Sequence, residues 1–157
     1  MKYIYPILFF IPLALLQVTV IPFFSYNSVY PDLIGILIAI LGFRNGKIYG
    51  MANGFFLGLL FDILTGGAIG LSSFSKTING FMAGHFYKEE RKDEEISNMK
   101  LLLIILISTS LDSFFYTFLG GSKLSFNVFY LLLVHGLIPG FYSAVFSLPI
   151  LFFKEKI

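Results

Sequence analysis

The chain has 157 residues, 57% hydrophobic, 18% aromatic and only 13% charged, with mean hydropathy +0.84. A soluble domain carries about a quarter of its residues charged, so this composition excludes one, and no stretch between the apolar runs is long enough to fold outside a bilayer. The formal charge of +2 sits beside apolar runs, a mark of membrane topology rather than nucleic-acid binding, and the lack of cysteine excludes disulfides, thiolate metal sites, cysteine nucleophiles and a lipoprotein anchor.

The expected architecture is an all-α integral membrane protein, a single polytopic domain over residues 1–157 with about six transmembrane helices. The first apolar run, residues 3–24, reads as a retained span. Val18-Thr19-Val20-Ile21-Pro22-Phe23 is too bulky for the small-residue cleavage site of a secretory signal. Ser25-Tyr26-Asn27-Ser28 then forms a turn. The second span, residues 30–43, is short against the roughly 17–25 residues a crossing helix wants. Pro31 suits its first turn, and Arg44 and Lys47 close it with side chains long enough to snorkel.

The third span, residues 48–64, carries glycines four apart at Gly50, Gly54 and Gly58, then Asp62, with Gly66 and Gly70 continuing the spacing. Such residues stack along one helix side, and in lipid they let backbones approach where no hydrophobic force drives association. Packing within the monomer is the first reading, a homodimer face the second. Thr65-Gly66-Gly67 turns into the fourth span, residues 68–87. After it, Lys88-Glu89-Glu90-Arg91-Lys92-Asp93-Glu94-Glu95 is the one charged run, read as an ion-paired helix extension before a docking site. The fifth span covers residues 100–119, and Gly120-Gly121-Ser122 turns into the sixth, residues 126–153. That last run is long and holds Pro139, Gly140 and Pro149, so a tilt or kink is expected.

Lys and Arg set the orientation. With six spans and both termini cytoplasmic, Lys2, Arg44, Lys47, Lys88, Arg91, Lys92, Lys100, Lys154 and Lys156 lie inside, Lys123 lies outside and Lys76 falls within a span. A five-span arrangement, with the second segment not crossing, distributes the charge almost as well. Tyrosines near span ends (Tyr3, Tyr5, Tyr26, Tyr30, Tyr49, Tyr87) suit an interfacial belt against lipid.

Ionisable residues inside a bilayer need partners. Asp32 and Asp62 lie near outer span ends. Lys76, Asp112 and His135 lie deeper, all about 12–14 Å down at 1.5 Å per residue. Equal depth suggests a Lys76–Asp112 pair with His135 nearby, satisfied further by Gln17, Asn53 or Asn79. Such a buried polar cluster either fixes helix register or forms a ligand or proton site. An aspartate dyad of Asp62 and Asp112 would suit an intramembrane protease. The asparagine- and glycine-bearing motifs of a lipoprotein signal peptidase are absent around both residues. Two separate histidines, His85 and His135, give no metal-ligand spacing. No catalytic constellation, cofactor site or metal site emerges.

Pro31-Asp32-Leu33 opening a span, the basic turn with Arg44, and the series Gly50, Gly54, Gly58-Leu59, Asp62, Gly66, Gly70-Leu71 resemble the MreD family of rod shape-determining proteins. The resemblance in order and spacing runs from about residue 31 to 84, and size and hydropathy agree over the rest. It implies a non-catalytic scaffold or regulator of the bacterial cell-elongation (rod) complex in the cytoplasmic membrane, involved in cell shape and peptidoglycan synthesis. The implied partners are MreC, the actin-like MreB and the rod-complex peptidoglycan synthases. That family also looks distantly similar to the six-helix substrate-binding (S) subunits of energy-coupling-factor vitamin transporters. A vitamin-binding subunit is therefore the alternative function. Against it, Ala14 stands alone where such subunits carry an Ala-x3-Ala docking motif.

Overall fold

A computed structural model describes residues 4–24, 29–88, 98–121 and 128–154. Among these residues the regular structure is helical, with no strand. The elements are α1 (Ile4–Thr19), a 3-10 turn (Ile21–Phe24), α2 (Leu33–Asn45), α3 (Lys47–Thr65), α4 (Leu71–His85) and α5 (Asn98–Gly120). A final run follows in three pieces: α6 (Val128–Leu132), a π turn (Leu133–Leu137) and α7 (Ile138–Lys154). Two helices, α3 and α5, are long and apolar enough to cross a membrane. The expected turn at residues 25–28 lies outside the described residues, as do residues 89–95 of the charged run, Ser122, and Lys2, Tyr3, Lys123 and Lys156.

The bundle buries many polar groups beside its apolar core and is apolar outside. On α4 the buried positions are Ser72, Ser73, Ser75, Lys76, Asn79, Gly80, Ala83 and Gly84, while Phe74 and Phe81 face outward. Phe9, Leu15, Phe56, Ile63 and Leu103 are likewise exposed. In water this distribution would leave a large apolar surface exposed. In hydrocarbon it is the stable one, since polar groups must find partners within the protein and apolar ones lose nothing by facing lipid. Several buried hydroxyls satisfy themselves on their own helix: Thr109 donates to Ile105 O at 2.7 Å and Ser147 to Ala144 O at 2.6 Å.

α2 occupies the centre and touches α1, α3, α4, α5 and α7. One face packs Ile36 and Ala39 against Ala83 of α4 and Leu101, Ile104 and Ile105 of α5. The other packs Ile34 and Ile38 against Phe10 and Ala14 of α1 and Leu57 of α3. Its 13 residues rise about 20 Å at 1.5 Å each. Gly46 reverses the chain from α2 into α3 within one residue, at φ +94°, where an L side chain would be strained.

α3 and α4 make the most intimate contact in the fold. A Cβ on Gly54 would overlap the backbone carbonyl of Lys76, one on Gly50 the carbonyl of Gly80, and one on Gly58 would lie 2.6 Å from Ser73 Cα. α4 reciprocates with Gly80 against Gly50 and Gly84 against Lys47. The glycine ladder thus joins two helices of one chain, with Gly50, Gly54 and Gly58 set against the α4 backbone. Gly66 and Gly70 do not extend it. Both have positive φ, +65° and +98°, and at neither would an added Cβ find an atom within 4 Å, so they shape the α3–α4 turn instead.

Two further features break the apolar runs. The first apolar run breaks after Thr19 into the 3-10 turn, whose Phe24 carbonyl accepts the Tyr142 hydroxyl of α7 at 2.7 Å. The expected kink in the last run takes the form of a π turn just before Pro139, which has no N–H to continue the helical ladder. Gly140, one residue on, lets α7 close against Ser110 of α5, whose Cα would lie 2.9 Å from an added Cβ.

Candidate functional site

Lys76, in the middle of α4, is 4% exposed, and its ammonium donates to Asp32 Oδ2 and to Asp112 Oδ2, the latter at 3.1 Å. Asp112 lies on α5 and is 2% exposed. Asp32 is the N-cap of α2, its Oδ1 accepting from Gly35 N at 2.9 Å. Asn79, one turn beyond Lys76 on the same face of α4, donates to Asp112 Oδ2 and to Gly35 O, each at 3.1 Å. Gly35 is the residue that fits here, since a Cβ would stand 3.0 Å from Asp32 Cγ and 3.1 Å from Asn79 Nδ2.

Two neighbouring helices brace this centre without joining it. Ser143 Oγ of α7 accepts from Asp32 N at 2.9 Å. Gln17 of α1 donates to Pro31 O at 3.0 Å and accepts from Leu33 N at 2.9 Å, satisfying backbone groups at the start of α2. α1, α2, α4, α5 and α7 therefore meet at one level through polar groups of the chain itself.

The cluster holds two carboxylates and one ammonium. An ion pair at 3.1 Å attracts by about 5 kcal/mol at an effective dielectric of ~20. Desolvation offsets much of that, so the net worth of such a pair lies in the cost of breaking it. The charges do not balance: with both aspartates ionised one negative charge remains. Asp32 shares its excess with the positive end of the α2 dipole, whereas Asp112 sits mid-helix with no such help. Beside the cluster is a cavity of about 130 Å³, walled by Asp32, Lys76 and Asp112 together with Gln17, Tyr30, Ser72, Ser113, Tyr116, Thr117, His135 and Pro139.

Each site residue expected from sequence can now be placed. Lys76 and Asp112 pair as their equal depth suggests. Asp32 is the partner that sequence reasoning leaves at the span end, although an aspartate just before an apolar run is an N-cap pattern whose second oxygen is free to point inward. His135 lines the cavity but makes no hydrogen bond to the cluster among the described residues. Of the three amides expected to satisfy the cluster, Asn79 does so; Gln17 acts one step away, and Asn53 bonds back to Tyr49 O at 2.8 Å on its own helix.

Asp62 stands apart from this centre. Buried at the end of α3, it accepts from Gly70 N at 2.8 Å, Ser72 N at 3.2 Å and Ser73 N at 3.3 Å. It ties the α3–α4 turn and caps the start of α4, where its charge meets the helix dipole favourably. Asp62 and Asp112 are thus engaged by different groups. Among the described residues no group of three or more His, Asp or Glu could hold a metal ion.

Comparison with curated proteins and with solved structures gives no match. The family model for rod shape-determining protein MreD matches residues 1–157, the whole chain. With Asp32, the Gly50–Gly58 ladder and Asp62 all given structural work inside that full-length match, the chain belongs to the MreD family of rod shape-determining proteins.

Proposed function

We propose that this protein is a non-catalytic scaffold of the bacterial rod complex, embedded in the cytoplasmic membrane with six spans and both termini inside. The observation that carries the reading is the family match over the full length. The buried polar groups and apolar outer surface of the bundle support a membrane setting, and the central position of α2 supports counting it as a span despite its length. In that topology the Asp32–Lys76–Asp112 cluster lies in the outer half of the bilayer.

The cluster's role in this reading is to lock the helices in register so that the lipid-facing and loop surfaces are presented rigidly to partners. MreC is the first partner proposed, with MreB and the rod-complex peptidoglycan synthases beyond it. A homodimer would have to use a face other than the α3 glycine ladder. The vitamin-binding alternative is weaker on two counts. Ala14 is packed in the core against α2 rather than offered to a coupling subunit. The cavity, about 130 Å³, is well below the roughly 300–1,000 Å³ of pockets that enclose vitamin-sized ligands.

Depletion of the protein in its native rod-shaped host tests the proposal. Cells should round up and lay down peptidoglycan without an elongation bias, and re-expression should restore rods. Unchanged rods after full depletion would overturn it.

A further inference from the structure

The ionic cluster explains how the helices are joined, but not why a cavity lies beside it. The space of about 130 Å³ is close to the ~150 Å³ that admits benzene. Its wall includes two carboxylates against one ammonium, so acidic groups outnumber basic ones along it. Protonation of one aspartate would cancel the charge but would need no cavity. Among the remaining walls are the hydroxyl residues Ser72, Ser113 and Thr117, able to accept hydrogen bonds, and the aromatic residues Tyr30, Phe61 and Tyr116, a residue class that attracts ammonium groups, beside the apolar Val29 and Pro139. Tyr30 is 46% exposed, so the cavity reaches the surface at that residue.

We propose that this cavity is a binding site for a small organic cation, a primary ammonium of no more than about six non-hydrogen atoms, held by Asp32 and Asp112 beside Lys76. Ligand occupancy would complete the charge balance of the joint between α2, α4 and α5 and stiffen it. The inference is independent of the scaffold reading, because binding can be measured whatever the protein's partners are.

The test uses the full chain purified in mild detergent, with thermal unfolding followed by circular dichroism. Methylammonium, ethylammonium and butylammonium chloride are compared with sodium chloride at matched ionic strength and with tetrabutylammonium, which is too large for the cavity. The expected result is a saturable rise in Tm of about 3 °C for at least one primary ammonium, absent with sodium and with tetrabutylammonium. Ser113→Phe fills the cavity while keeping Asp32, Lys76 and Asp112, and should abolish the shift in a chain that still folds; Thr117→Met on the same wall replaces it if S113F fails to fold. A rise that is equal with sodium, that persists in the filled-cavity variant, or that never saturates would overturn the proposal, as would no rise at all.

Discussion

Replacing Lys76 by methionine keeps most of the side-chain volume and removes only the ammonium, leaving Asp32 and Asp112 facing each other in the bundle. At 3.1 Å and an effective dielectric of ~20, the lost attraction is about 5 kcal/mol for Asp112 alone. The carboxylates can relieve part of this by taking up a proton, so the measured cost should fall to the roughly 3–5 kcal/mol typical of a broken buried pair. At about 2–4 °C per kcal/mol for a chain of this length, Tm should drop by about 6–20 °C in detergent-solubilised protein. The diagnostic comparison adds Asp112→Asn. In the native background it removes one end of an ion pair and should destabilise; in the K76M background it removes a stranded charge and should stabilise. A K76M variant melting within about 2 °C of the native protein would refute the ionic account. So would an Asp112→Asn effect of the same sign in both backgrounds.

Other joints give separate expectations. Gly54→Leu should cost about 1–3 kcal/mol or more, because its side chain would meet the Lys76 backbone rather than a movable side chain, and Tm should fall accordingly. Asp62→Ala strands three N–H groups at the start of α4 and should lower stability by about 2–3 kcal/mol, with amide hydrogen exchange accelerated first at residues 70–73. Gln17→Ala should cost about 1–2 kcal/mol and loosen α1 from α2, seen as faster proteolysis of the N-terminal helix. The native chain has no cysteine, so single cysteines report topology cleanly. A membrane-impermeant maleimide added to intact cells should label Lys123→Cys and spare Arg91→Cys; the reverse pattern would invert the proposed orientation.

Most of the helical plan is legible in the sequence because apolar runs and basic punctuation both act locally. The spans expected at residues 48–64 and 100–119 correspond to α3 and α5 within a residue or two. The glycine spacing at 50, 54 and 58 is legible for the same reason: four-residue steps put backbone on one helix side. What it does not reveal is the partner, and only the reciprocal Gly80 and Gly84 identify α4 as the helix approached. The same spacing misleads at Gly66 and Gly70, where the helix has ended and positive φ, not close packing, accounts for the residue type. Depth counting places Lys76 opposite Asp112 but does not bring in Asp32, because a residue at a helix start can turn one carboxylate oxygen to its own backbone and the other to a neighbour. The π turn ahead of Pro139 is legible only as a kink, since proline marks where a helical ladder breaks and not how the chain re-forms it.

Affinity purification of the tagged protein from its native membrane in mild detergent, followed by mass spectrometry, tests the scaffold claim most directly. The account predicts recovery of MreC together with rod-complex peptidoglycan synthases. Recovery of a transporter coupling subunit with paired ATPases, and no rod-complex protein, would contradict it.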